Sequence, residues 1–275
     1  MTTIDHLGLI LERKRRENVR RRGHARLWSV TASAHSDTPS DRGALALQRL
    51  RRPAGGPVRV IAEVKFRSPS AGTIRTREPG VATNIAIQYE AAGASAVSVL
   101  CDGPGFGGGV LDLRRAARAT AVPILFKEFV LDPLQVELAR AAGAHMVLLL
   151  VRALDPVGLR ELVAFVLKQG MAPVVEAADD DELEIALATR ATIVGVNARD
   201  LRTFQVNPQQ AQRALVRIPA DKIAVHMSGI KSGHDLARLS ETSRADAVLI
   251  GEALMRAESP GALLSEWMTA GRVPP

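Results

Sequence analysis

Residues 60–72 read VIAEVKFRSPSAG. Period-2 alternation puts Glu63 and Lys65 on one side of the strand this run begins. An acid and an amine there are either a surface ion pair or an acid–base pair at the mouth of a barrel. Three further residues stand at comparable points. Lys127 lies in ILFKEF, where an unpaired ammonium is costly, so it either snorkels or is held for chemistry. Glu176 lies in PVVEAA, where it serves an interior ion pair, a reaction, or both. Asn197, in VGVNARDL, either caps a turn or belongs to the site, and Asp200 reads as support for that loop or for Arg199. A lysine as general acid, with a carboxylate that keeps it protonated or returns its proton, suits acid–base chemistry on a carbonyl sugar phosphate. The histidines show no HxH or HExxH spacing, so no metal constellation is expected.

The elements that must position these groups follow from repetition. AAGASAVSVL (91–100), AAGAHMVLLL (141–150), ATRATIVGVN (188–197) and TSRADAVLIG (242–251) each run from small or polar residues into a short apolar stretch. That is how a helix-to-strand connection reads, with Gly93 and Gly143 suited to the position after a helix. VRVIAEV (58–64), VPILFKEF (122–129), APVVEA (172–177) and KIAVHMSG (222–229) fit between them. Eight strands are therefore expected, starting near 58, 96, 122, 145, 172, 192, 222 and 246. The spacing of roughly 27 residues is that of a βα unit in a barrel. Helices are expected at 81–93, 110–120, 132–143 and 179–190, and Asp132-Pro133 and Asp155-Pro156 are helix starts.

The fold class is α/β: a single (β/α)8 TIM barrel over residues 58–275 after an N-terminal helical extension over 1–57. The extension is expected to be helical at 3–22 and looser at 32–42. Aromatics at 3% require an aliphatic core, which a barrel of Val, Ile and Leu supplies. No GxGxxG follows the first strand, which removes the main mark of a dinucleotide fold.

In a barrel, reactive groups collect where strands end. Besides the residues above, those positions hold Cys101 and Asp102, Glu128, Arg199, Ser228, and Gly251-Glu252. Glycines in MSGI (227–230) and IGEA (250–253) follow the last two strands, where this fold often binds phosphate through backbone N–H groups, although ordinary turn glycines read the same way. GPGFGGG (103–109) lacks the Lys-Ser/Thr of a P-loop and reads as a mobile active-site loop.

The net charge of +7 raises nucleic-acid binding as an alternative. The excess is local, in RKRRENVRRR (13–22) and at Arg49, Arg51 and Arg52, and stacking aromatics are few. A solvated helix face is the expected role of the basic run. The single cysteine, Cys101, rules out an internal disulfide framework and makes a reducing cytoplasm the default. No apolar run is long enough to span a membrane, and the first residues lack a signal-peptide core.

The order AEVKFRSPSAG, FKEF, VVEA, VGVNARDL, MSGI, LIGEALM resembles the indole-3-glycerol-phosphate synthase family of tryptophan biosynthesis, over about residues 58 to 270. The resemblance implies conversion of 1-(2-carboxyphenylamino)-1-deoxyribulose 5-phosphate to indole-3-glycerol phosphate, with loss of carbon dioxide and water and no metal or organic cofactor. It implies that Lys127 protonates the ketone as the ring closes and that Glu63 and Lys65 serve dehydration. Glu176 would stabilise or accept the indole-forming proton, and Asn197 and Arg199 would orient the aromatic substrate. Ser228 would complete the catalytic set. Ser68, Phe106, Phe129 and Met227 would bind substrate, and Gly229, Gly251 and Glu252 the phosphate. The expected partner is a small anionic sugar phosphate, without nucleic acid or membrane, and the chain is expected to act as a monomer or homodimer.

The sequence departs from the pattern at several points. Met227 replaces the usual Glu before Ser-Gly-Ile, and Ala177-Ala178 the usual Val-His. KEF stands for KDF, and Cys101-Asp102 with Phe106 and Gly109 for Thr-(Asp/Glu) with Phe-x-Gly-Ser. Losing a carboxylate at 227 removes a partner for any nearby ammonium, and Met accepts a bulkier ring. Three accounts remain: a synthase that tolerates Met227, a diverged paralogue acting on a modified arylamino sugar phosphate, and a non-catalytic barrel.

Overall fold

Eight short apolar runs form the parallel strands β1 (Arg59–Val64), β2 (Ala96–Leu100), β3 (Ile124–Lys127), β4 (Met146–Leu150), β5 (Ala172–Ala177), β6 (Ile193–Val196), β7 (Ile223–His226) and β8 (Ala247–Ile250). They belong to a computed structural model that describes residues 5–23, 41–197 and 208–270. The strands pair in the order β1-β8-β7-β6-β5-β4-β3-β2, and β2 closes on β1. The expected (β/α)8 barrel is the fold, and each strand begins within two residues of its expected start.

Parallel strands covered on both faces need apolar residues at every position. One alternate set, including Ile61, Leu125, Val174, Ile193, Val225 and Leu249, fills the barrel interior. The other, including Val60, Val97, Phe126, Val175, Val194 and Val248, packs beneath the helices. Stepping along the interior set by twos leads out of the core and into polar residues. Ile61 leads to Glu63 and Lys65, Leu125 to Lys127 and Phe129, and Val174 to Glu176. Ile193 leads through Gly195 to Asn197, Val225 to Met227, and Leu249 to Gly251. The same alternation that builds the core delivers the polar groups to one mouth.

Helices α1 (His6–Gly23) and α2 (Arg42–Leu50) precede the barrel. After β1 come α3 (Val81–Ala91), α4 (Gly103–Phe106), α5 (Val110–Ala119), α6 (Pro133–Ala142), α7 (Pro156–Lys168), α8 (Asp180–Leu187), α9 (Pro208–Arg217), α10 (Gly233–Thr242), α11 (Glu252–Arg256) and α12 (Pro260–Ala270). The Asp-Pro pairs start helices as expected: Asp132 Oδ1 accepts the Leu134 N–H at 3.0 Å, and Asp155 Oδ1 those of Val157 and Gly158 at 3.0 Å each. No helix among the described residues is long and apolar enough to cross a membrane.

Two expectations about the extension change. Most of the stretch expected to be loose lies outside the described residues, but at its end α2 begins, capped by Asp41 Oδ1 accepting the Ala44 N–H at 3.0 Å. Gly43, Ala46 and Leu50 are buried, at helical spacing. A Cβ on Gly43 would stand 3.1 Å from the Met171–Ala172 backbone at the start of β5, so α2 plugs the N-terminal mouth. The basic residues, moreover, are not simply a solvated face. Arg51 and Arg52 donate to the carbonyls of Ala220, Asp221, Lys222, Ser243 and Ala245 in loops beside that mouth, and of Ser240 at the end of a helix there. Lys14 of α1 is 1% exposed. Much of the positive charge is thus committed inside the fold, because buried or loop-end acceptors need donors.

Two histidines, His226 buried and His145 half-buried, give the fold an acid limit. His145 Nδ1 accepts the Ile124 N–H at 3.2 Å, which holds the ring neutral. Burial, then the Arg42 charge, lowers its pKa to about 4. Burial likewise lowers His226 to about 4. The unfolded chain takes up these protons from about pH 6.5 downward, the folded chain only near pH 4. Stability is therefore full above pH 6.5 and falls progressively toward pH 4, by on the order of 3 kcal/mol for His226. Urea midpoints across this range should decline, and H226L should flatten the slope; an unchanged slope would count against the assignment.

Candidate active site

The strand ends surround a cavity of about 530 Å³ lined by Glu63, Lys65, Lys127, Glu176, Asn197 and Ser228 among others. Glu63 is the hub. It is 3% exposed, with Oε1 2.9 Å from Lys65 Nζ and Oε2 3.4 Å from Lys127 Nζ. Burial alone would raise its pKa, but the charges of Lys65 and then Lys127 outweigh burial and hold it below the usual carboxylate value. The result is one carboxylate that bridges two ammonium groups, each still open to the cavity. Gly251 of the β8 end makes this possible, since a Cβ there would collide with Glu63 Oε1.

A second chain of groups runs around the opposite wall. Ser228 Oγ donates to Asn197 Oδ1 at 2.6 Å, and Asn197 Nδ2 donates to Glu176 Oε1 at 2.8 Å. Asn197 thereby reads as an amide with a fixed orientation, with its oxygen toward Ser228 and its nitrogen toward Glu176. Glu176 Oε2 has no hydrogen-bond partner among the described residues, although it is buried. A carboxylate pinned by one oxygen and open at the other is built to accept a proton or a donor from a ligand.

Phe106 and Phe129 form an aromatic wall, their ring centroids 6.0 Å apart and tilted by 39°. Phe129 follows Lys127 by two residues on the interior row. Phe106 ends α4, which Asp102 caps through Oδ2 and the Gly105 N–H at 2.7 Å. The glycine-rich run after β2 is therefore a folded turn. Its glycines serve close packing: a Cβ on Gly108 would collide with the Leu100 carbonyl oxygen.

Ser68, Gly229, Gly251 and Glu252 lie at the remaining side of the cavity. The Ser68 hydroxyl accepts the Ala71 N–H at 3.1 Å, which shapes the Ser-Pro-Ser loop. Gly229 holds φ 105°, a conformation costly for other residues. The Glu252 carboxylate turns to Arg256, 2.9 Å away, so it would not itself face an anion. Lys231 and Arg256 also line the cavity there, two cations that sequence reasoning passed over. The signal was available: both sit just after the glycine turns that end the last two strands.

Met227 is 2% exposed and packs in the interior cluster. A Cβ on Gly195 would stand 2.7 Å from its Cγ and 2.9 Å from its Sδ, so the thioether occupies the space that the β6 glycine leaves. Gly195→Ala should therefore cost about 1–3 kcal/mol through overpacking. Met227→Ala in the same chain should recover part of that loss, as a denaturant double-mutant cycle would show. Additive losses would mean that the two do not compete for the space.

The structure brings together every expected site residue except Arg199, which lies outside the described residues, as does Asp200. Sequence reasoning also missed a group of residues centred on α1. Lys14 Nζ lies 2.8 Å from Asp102 Oδ1 and 2.9 Å from Glu128 Oε2. Burial opposes the Lys14 charge, but Glu128 and Asp102 together raise its pKa. Burial likewise opposes the Asp102 charge, yet the Lys14 hydrogen bond and charge keep that carboxyl below its usual value. For Glu128 burial prevails over Lys14, and its pKa is raised. Lys14 also reaches Glu17 Oε2 at 3.0 Å, and Asp102 Oδ1 also accepts from Arg13 Nη2 at 2.6 Å, so Asp102 is the better satisfied of the two buried carboxylates.

Comparison with known proteins places the chain in a family. The family model described as indole-3-glycerol phosphate synthase matches residues 7–266. An indole-3-glycerol phosphate synthase of Leifsonia xyli subsp. xyli is 43% identical over 248 residues, 90% of this chain and 92% of that protein. One from Aromatoleum aromaticum is 45% identical over 208 residues, 76% of this chain and 78% of that protein. Among solved structures, the tryptophan synthase alpha chain of Legionella pneumophila subsp. pneumophila superposes with a TM-score of 0.60 at 15% identity, covering 83% of this chain and 96% of that one, which speaks to the barrel alone. The family match reaches back to residue 7 and so takes in α1 with the barrel; the chain belongs to the indole-3-glycerol phosphate synthase family.

Proposed function

We propose that this chain is a carbon–carbon lyase that converts 1-(2-carboxyphenylamino)-1-deoxyribulose 5-phosphate to indole-3-glycerol phosphate, carbon dioxide and water. The observation that carries the reading is Glu63 held between Lys65 and Lys127 at the cavity floor. Ring closure needs a proton on the ketone oxygen as the aromatic carbon attacks the carbonyl carbon, and Lys127 supplies it from beside the Phe129 wall. Carbon dioxide then leaves that ring carbon and restores aromaticity in the benzene ring. Dehydration removes the new hydroxyl as water and a proton from the neighbouring carbon. Lys65 protonates the departing hydroxyl, and Glu176, open at Oε2, takes the proton. Asn197 and Ser228 hold Glu176 in place.

The sugar phosphate fits the side where β7 and β8 end. Gly229 and Gly251 let backbone approach the phosphate, with Lys231 and Arg256 close by, and a short helix follows β8 as in many barrel phosphate sites. The test is incubation of the purified protein with the arylamino ribulose phosphate while indole fluorescence is followed. Product formation supports the assignment. Tight binding without product would favour the second reading, a modified arylamino sugar phosphate as the true substrate. Met227 motivates that reading, because it puts a buried apolar side chain where the resemblance implies a carboxylate. Neither binding nor product would leave a barrel without this chemistry.

A further inference from the structure

Lys14 lies in the helix that precedes the barrel, yet its ammonium is buried between the ends of β2 and β3. Besides Glu17 on its own helix, Lys14 binds two carboxylates of the barrel, and neither stops there. Asp102 uses its other oxygen to cap α4, which carries Phe106. Glu128 uses its other oxygen to accept the Phe129 N–H at 2.8 Å. One turn further along α1, buried Asn18 donates through Nδ2 to Gln135 Oε1 at 2.8 Å. Gln135 Nε2 in turn donates to the Phe129 carbonyl at 2.8 Å. Both backbone polar groups of Phe129, and the cap beneath Phe106, are thus held by side chains that α1 holds.

We infer that Lys14 is a positioning residue of the site: from outside the barrel it fixes Phe106 and Phe129 as the wall that receives the substrate's aromatic ring. The inference rests on the proposed arylamino sugar phosphate as ligand. Without the ammonium, Glu128 would lose its cation and Asp102 would keep only Arg13, so two buried carboxylates on adjacent strand ends would repel each other and seek water. Asp102 and Glu128 would separate, and each would take its phenylalanine along. Ring recognition would suffer, while the phosphate side, between β7 and β8, touches none of these groups.

The test uses the full chain and two probes followed by isothermal titration. One is the substrate with its ketone reduced, which keeps the aryl ring and cannot cyclise; the other is a pentulose phosphate without the ring. Lys14→Met should weaken the ring-bearing probe by about tenfold or more, the worth of a lost aromatic contact, and leave the ringless probe unchanged. Lys14→Arg, which keeps the charge, should retain most of the affinity. Asn18→Leu breaks only the Gln135 link and leaves the ion cluster, so it decides the matter if Lys14→Met fails to fold; it too should weaken only the ring-bearing probe. Equal losses for both probes, or a lower Tm with both affinities intact, would reduce Lys14 to a clasp for α1 and overturn the inference. A wild type that binds the ring-bearing probe no better than the ringless one sinks the ligand reading, and this inference with it. A wild type that prefers the ring but makes no indole sinks only the proposed reaction, and the Lys14 comparison still decides.

Discussion

Lys127→Met should lower kcat by about 10²–10⁴-fold, the usual contribution of a positioned acid or base, while the barrel stays folded. The side chain ends β3 on the interior row and reaches the cavity, so methionine keeps most of its packing and removes only the charge. Glu63 keeps its shorter partner, Lys65 at 2.9 Å, and is not left as an unpaired buried carboxylate. Circular dichroism and a Tm close to that of the parent would show that the fold survives. The substitution has a second signature. Lys65 and then Lys127 hold the Glu63 pKa down against burial, so removing one of them lets it rise. Ionised Glu63 contributes stability above its unfolded pKa and loses it as pH falls through the folded value; in the variant that loss should begin at higher pH. A variant that turns over like the parent would remove Lys127 from the chemistry.

The path from sequence to site was legible where a local rule applied. Alternation alone put Glu63 and Lys65 on one side of β1, and the structure extends that row from Ile61 in the core. Eight apolar runs at regular spacing gave the barrel, and the barrel gave the place to look. Where the partner lay far away in the chain, the reading failed. RKRRENVRRR looks like a solvated face because nothing within it says that Lys14 will meet Glu128, 114 residues on. The helix is polar almost all round, and the two buried polar side chains on it, Lys14 and Asn18, both have distant partners, as do the more exposed Arg13 and Arg22. The glycine-rich run read as a mobile loop for a related reason. Glycine is equally suited to freedom and to close packing, and only the Leu100 carbonyl above Gly108 tells which applies. Met227 was visible as a departure, but that it would rest on Gly195 required the closed barrel.

Gly251→Ala is the smallest change expected to disable the site. The residue has φ −126°, which is not the left-handed conformation that favours glycine. The obstacle is Glu63. A Cβ at 251 would collide with its Oε1 and lie 3.1 Å from its Cβ and Cδ. Glu63 cannot easily step aside, because Lys65 and Lys127 hold both of its oxygens and it is 3% exposed. Either the carboxylate swings off and both ammonium groups lose their bridge, or β8 moves away from β1, to which it pairs through Arg59–Ala247 to Ala62–Ile250. The first route removes the arrangement on which the acid–base chemistry rests; the second costs packing, about 1–3 kcal/mol. A loss of roughly 10²-fold or more in kcat is expected, the scale of a misplaced acid–base group. The phosphate side supplies the control. If glycine 251 serves only backbone approach to phosphate, KM should rise with kcat intact, and a pentulose phosphate should bind more weakly. If it serves Glu63, kcat should fall, and the combined variant Glu63→Ala with Gly251→Ala should be little slower than Glu63→Ala alone, since the collision with Oε1 is gone and only the 3.1 Å Cβ contact remains.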